Sequence, residues 1–308
     1  MSPDEQLAAI AARNAGVVAR DDATAAGLSD FQLRHRVRLG RLVQVGPHAF
    51  RIAGTPTGLS GELHELVVDI GRPVWVAGPT AAALHGFDGC GLARPFHLLV
   101  PRQRSLNRHN VSVHRTDTIP LIDQAAAGSL PVTSPARTLI DLARTASAAE
   151  LGRWIDGALR DGLLSEDLLH RRIVGLRSKG RFGVPTLHAV LAAREVERGG
   201  LSWLEREYLR LVGEAGLPKP LSQQYLTKAG DQLVRVDFRF PGTRVVVEVL
   251  GYRWHRSRSQ MARDAERMNA LVAAGYAPYQ FTYGQLVAEP VQVVAETRAA
   301  LARHARPA

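Results

Sequence analysis

The first residues in this chain that could do chemistry are two carboxylates among valines. From Leu233 to Phe240, Val234, Val236, Phe238 and Phe240 alternate with Leu233, Arg235, Asp237 and Arg239, and the run Arg244 to Leu250 sets Glu248 among Val245, Val246, Val247 and Val249. A period of two predicts two strands with one apolar face. The short connection Pro241 to Arg244 makes them a hairpin with Phe240 opposite Val245, which puts Asp237 opposite Glu248. Their Cβ atoms would lie ~5 Å apart on one face. Two like charges at that spacing raise one pKa unless a cation joins them, and a hard divalent ion, Mg²⁺ or Mn²⁺, takes such a pair together with water and a phosphate oxygen. A surface pair neutralised by Arg235 and Arg239 is the competing reading.

Further polar residues follow in the right places to serve or rim such a site. Trp254-His255 comes just after the second strand, Asp264 and Arg267 are three apart on a predicted helix, and Gln280 falls in a later strand, Ala277 to Thr282. His255 either acts on water near the metal or caps the loop. Asp264 and Arg267 form an ion pair or an active-site rim, and Gln280 touches substrate or is simply a strand residue. Upstream, Ser202-Trp203-Leu204-Glu205 fits a capping box, so Glu205 either assists the metal or only closes a helix start.

The order Glu205, Asp237-Phe238, Val247-Glu248-Val249-Leu250-Gly251, His255, Asp264 with Arg267, and Gly275-Tyr276 with Phe281-Thr282 resembles the nuclease-like family related to very-short-patch-repair (Vsr) endonucleases, within the PD-(D/E)xK superfamily. The resemblance covers about Ser202 to Val287. It implies that Asp237 and Glu248 bind Mg²⁺, that Glu205 is the helical acid and that His255 serves hydrolysis. It also marks a departure: Leu250 stands where the family carries a lysine that activates water, and a leucine can neither polarise water nor steady a phosphate.

The elements ahead of this module carry a different signal. Residues 3 to 15 and 20 to 26 read as helices, and Ser29 can cap a third in which Leu33 and Val37 are four apart while Arg34, His35, Arg36, Arg38 and Arg41 crowd the other faces. Leu42 to Val45 and Ala49 to Ile52 then flank Gly46-Pro47-His48, a small hairpin carrying Arg51. Three helices and a hairpin make a winged helix-turn-helix, whose third helix can enter a major groove while the hairpin tip meets phosphate. Arg34, Arg36, Arg38, Arg41 and Arg51 are the expected DNA contacts. With Ala26-Gly27-Leu28-Ser29, Val37 to Leu42 and Phe50-Arg51, continued by Ala77 to Gly86 and Pro131 to Leu139, this half is similar to AbiEi-type antitoxins. That likeness implies promoter DNA and a cognate toxin as partners.

Composition bounds these readings. The 308 residues carry 39 basic against 29 acidic side chains, a formal charge of +10, which makes a polyanion the first partner to consider. Only Lys179, Lys219 and Lys228 are lysines; the rest of the basic excess is arginine. One cysteine, Cys90, excludes an intramolecular disulfide and a zinc ribbon. The longest uncharged apolar stretch, Pro73 to Phe87, is too short and too rich in proline and glycine to span a bilayer, and Asp4 and Glu5 replace the basic start of a secretory signal. A cytoplasmic protein is expected. Thr55 to Ser60 and Gly199-Gly200 read as linkers, so the expected fold is multi-domain α/β: a winged helix-turn-helix over 1–57, an α/β middle domain over 58–198, and a PD-(D/E)xK-like domain over 199–308. The resulting expectation is a DNA-binding, Mg²⁺-dependent endonuclease targeted by the winged helix. The alternative is a transcriptional regulator or antitoxin whose nuclease fold is inactive.

Overall fold

The computed structural model describes residues 2–176, 183–198, 201–229, 232–251 and 258–305. They form two compact units, Met1–Glu166 and Asp167–Ala308, in a mixed α/β architecture.

The first unit opens with α1 (Pro3–Arg13), β1 (Val17–Ala19), α2 (Arg20–Ala25), α3 (Asp30–Arg38), β2 (Leu42–Gln44) and β3 (Ala49–Ile52). Ser2 and Ser29 start α1 and α3 with capping boxes closed by Glu5 and Gln32, which satisfies backbone donors that a helix start leaves unpaired. The strands form an antiparallel sheet in the order β1-β3-β2, and Leu7, Leu28, Leu33, Leu42 and Phe50 close a core against it. Helix, strand, two helices and a hairpin thus follow one another over residues 3–52.

The same compact unit continues past residue 57, the end expected for the first domain. Helix α4 (Leu59–Ile70) packs on β1 and β3. Its Asp69 accepts a hydrogen bond from the His48 amide at 2.7 Å, and its Glu65 pairs with Arg51 at 2.8 Å. The fit is close enough that a Cβ on Gly46 would fall 2.2 Å from the Asp69 carboxyl. Then come β4 (Trp75–Val76), α5 (Gly78–Leu84), β5 (Phe96–Pro101), β6 (Val111–Thr116), β7 (Gln124–Ala127), β8 (Leu130–Thr133), α6 (Pro135–Leu142) and α7 (Ala148–Arg160). Their mixed sheet has the order β6-β5-β4-β8-β7, with Leu63, Val76, Phe96, Leu98 and Val132 in its core. Arg137 is buried between Asp123 at 3.0 Å and Asp141 at 2.7 Å, and Arg104 donates to the carbonyls of Gly71 and Pro73, so these two arginines are structural ties.

The second unit begins just inside α8 (Glu166–Gly175) and continues with α9 (Val184–Arg198) and α10 (Trp203–Glu214). The two compact units thus divide at 166/167, ahead of the linker expected at 198/199. The reason is packing: the His170 ring stacks on Trp203 with centroids 3.9 Å apart and bonds to the Tyr283 hydroxyl at 2.7 Å, while Val174 joins the same core. Strands β9 (Leu221–Ala229), β10 (Gln232–Arg239) and β11 (Val245–Leu250) form an antiparallel meander; α11 (Arg258–Ala273) crosses over to β12 (Ala277–Thr282), parallel to β11, and α12 (Tyr283–Ala288) and α13 (Pro290–Arg303) follow. A crossover helix is what a parallel neighbour requires.

This sheet, in the order β12-β11-β10-β9, is apolar on both faces. Phe238, Phe240, Val245 and Val247 pack with Tyr208, Leu211, Leu286 and Val293 from α10, α12 and α13, while Val246 packs with Leu271 of α11. The expectation of one apolar face thus gives way to a sheet sandwiched between helices, which explains the unbroken Val245-Val246-Val247 run.

Candidate functional site

The register Phe238↔Val247 and Arg239↔Val246 sets Asp237 across from Glu248. On the outer sides, Val236↔Gln224 and Phe238↔Ser222 bracket Gln223 opposite Asp237, and Glu248 pairs directly with Gln280. The result is a polar row, Gln223, Asp237, Glu248 and Gln280, one residue from each strand. Gln223 was not among the expected site residues, because its place in the row depends on β9, a strand the apolar pattern does not announce.

Each member of the row is already bound to protein. Glu248, 2% exposed, has Oε2 held by the Arg267 guanidinium at 2.5 Å and by Gln280 Nε2 at 3.2 Å, while its buried Oε1 has no hydrogen-bond partner among the described residues. Asp237 Oδ2 accepts from the Val249 amide at 2.9 Å. Burial pushes the Asp237 carboxyl up to about 6, against the pull of the Val249 amide, and the negative charges of Glu205 and Glu248 push the same way. Glu205 closes the α10 capping box: its amide donates to Ser202 Oγ at 3.2 Å, its Oε2 accepts from the Ser202 amide at 2.6 Å, and its Oε1 accepts from Gln223. Asp264 lies half-buried one turn before Arg267 on α11. Arg267 extends to Glu248, a partner on another element. His255 lies outside the described residues.

These side chains match part of what a divalent ion needs. The unpartnered, buried Glu248 Oε1 and the neighbouring Asp237 carboxylate are the oxygen donors a hard cation takes. Arg267, however, already supplies positive charge to Glu248, and Leu250 stands where a water-activating amine would be. Among the described residues the row can hold charge, and no nitrogen base is bonded to it other than the arginine, which stays protonated.

The second candidate surface is α3. Leu33 is fully buried and Val37 half-buried beneath it; on the opposite side Phe31, Arg34, His35 and Arg38 form one exposed stripe at helical spacing, with Arg41 exposed just beyond. Arg34, Arg38 and Arg41 make no ion pair with any described residue. The other two expected DNA contacts are engaged internally. Arg36 donates to Asp4 at 2.9 Å, and Arg51, paired with Glu65, also donates to the Thr55 carbonyl at 2.9 Å. The hairpin tip is stitched down as well, since Arg20 donates to the Pro47 carbonyl at 3.1 Å beside the bond from His48 to Asp69.

A family model described as the AbiEi antitoxin C-terminal domain matches residues 75–181, which bears out the AbiEi likeness expected from Ala77 to Gly86 and Pro131 to Leu139. Two relatives from Mycobacterium tuberculosis, "Uncharacterized protein MT2308" of strain CDC 1551 / Oshkosh and "Uncharacterized protein Rv2248" of strain ATCC 25618 / H37Rv, are each 28% identical over 277 residues, covering 89% of this chain and 96% of theirs. The crystal structure of the RV2827C protein from Mycobacterium tuberculosis aligns at a TM-score of 0.40 and 20% identity, over 63% of this chain and 82% of that chain. No helix among the described residues is long and apolar enough to cross a membrane.

Proposed function

We propose that this protein is a cytoplasmic, DNA-binding regulator of the AbiEi antitoxin type, in which α3 contacts duplex DNA and a cognate toxin is the protein partner. The observation that carries the reading is the α3 stripe: arginines that make no ion pair among the described residues, on a helix whose other face anchors a winged core, beside a domain similar to the AbiEi antitoxin C-terminal domain. The charge of +10 suits a polyanionic partner.

In this reading the C-terminal unit is nuclease-like in outline and does not cleave. Its order of helix, three-strand meander, helix and parallel strand supports the resemblance to PD-(D/E)xK folds. The contact of Arg267 with Glu248 and the leucine at position 250 support an inactive site. A second reading, the Mg²⁺-dependent endonuclease with Asp237 and Glu248 as ligands and Glu205 and His255 assisting, is favoured by one observation, the buried Glu248 Oε1 that no described residue hydrogen-bonds. Bound Mg²⁺ would act as a Lewis acid on a phosphate oxygen.

One incubation separates the two. Full-length protein with supercoiled and linear duplex in Mg²⁺ or Mn²⁺ should shift the DNA and leave it intact. Cleavage that disappears in Asp237→Asn would establish the second reading instead.

A further inference from the structure

Phe31 is the unexplained member of the α3 stripe. It is 65% exposed, on the first turn of a helix that turns Leu33 inward, and it sets an apolar ring beside the arginines of the same stripe. Phe31 takes no part in the helix start: Ser29 and Gln32 close the capping box, and Asp30 pairs with Arg20. Its neighbours on the stripe are Arg34 and His35, then Arg38 one further turn on.

A partner that meets the whole stripe is anionic and also presents an apolar spot within one helix diameter. A major groove does this. Phosphates line its rims, guanine offers O6 and N7 to an arginine fork, and thymine alone among the bases carries a methyl group on the groove floor. The geometry points to Phe31 as a specificity residue that packs on a thymine 5-methyl group, with Arg34 and Arg38 reading guanine or phosphate on either side. This deepens the DNA-binding reading and rests on it.

The test begins by selecting a binding site from a random duplex library with full-length protein. Each thymine of that site is then replaced in turn by deoxyuridine, which pairs identically and lacks only the methyl. One replacement should weaken wild-type binding about fourfold, the factor that burial of a single methyl group contributes. Phe31→Ala should bind the thymine and uracil duplexes equally, with an unchanged salt slope because no phosphate contact is lost. Phe31→Leu should keep part of the discrimination. Since Phe31 is exposed, both variants should match wild type in circular dichroism and Tm.

A selected site at which no thymine matters, or discrimination that persists in Phe31→Ala, would overturn the assignment of Phe31 and leave DNA binding standing. A library from which no duplex is enriched would overturn both.

Discussion

Two buried groups carry the residue-scale chemistry of the second unit. Glu248 is almost fully buried and its charge is met by Arg267 and Gln280. Removing the cation by Arg267→Met leaves a carboxylate uncompensated, and because Arg267 is partly exposed the expected loss is about 2–3 kcal/mol in urea unfolding. A loss below about 0.5 kcal/mol would mean that the pair is not formed. His170 is the second group. The Tyr283 hydroxyl donates to the His170 carbonyl at 3.1 Å, so His170 Nδ1–H donates to that hydroxyl, and the buried Nε2 has no hydrogen-bond partner among the described residues. Burial pushes its pKa down to about 3. The unfolded chain takes up a proton near pH 6.5 and the folded one does not until near 3, so this group's contribution is complete above pH 6.5 and is lost as pH falls from there. Relative to His170→Phe, wild type should lose about 2 kcal/mol between pH 7.5 and 5. A difference that does not change with pH would contradict the neutral, buried histidine.

At the scale of elements, Glu205 shows how a local signal and a site can share one side chain. Ser202 and Glu205 make a capping box that glutamine can also close. Glu205→Gln should therefore cost less than about 0.5 kcal/mol, whereas Ser202→Ala should cost about 1 kcal/mol. A Gln variant as unstable as the Ala one would mean that the charge itself holds α10. The same comparison shows what the sequence makes legible. Capping boxes, the alternation in β10 and the cross-strand position of Asp237 and Glu248 are encoded within a few residues of one another. Strand β9 is not: Ser222, Gln223, Gln224, Thr227 and Lys228 give an edge strand little apolar alternation, with Leu221 and Tyr225 facing outward. Without β9, Gln223 cannot be placed beside Asp237. Arg267 was visible as half of an intrahelical pair with Asp264. Its contact with Glu248 depends on how α11 lies over the sheet, which no local spacing specifies.

At the scale of the whole molecule, the α/β class and the AbiEi likeness were legible, and the division into two compact units at 166/167 is a matter of packing that composition does not mark. Thr55 to Ser60 and Gly199-Gly200 look like linkers by composition. Compact units, however, follow buried contacts, and those tie α4 to β3 and the preceding hairpin through Asp69 and Glu65, and α8 to α10 and α12 through His170. Charge behaves similarly. Arginine-rich composition points to nucleic acid, yet only the structure separates Arg34, Arg38 and Arg41, which face solvent, from Arg36 and Arg51, which hold Asp4 and Glu65. That separation makes the central claim measurable by fluorescence anisotropy of full-length protein on a duplex at several salt concentrations. If α3 is the DNA surface, Arg34→Ala/Arg38→Ala should weaken binding and reduce the slope of log affinity against log salt by up to about 2, while Arg51→Ala leaves the slope unchanged. A double variant with wild-type affinity and slope would contradict the account and place the DNA on another surface.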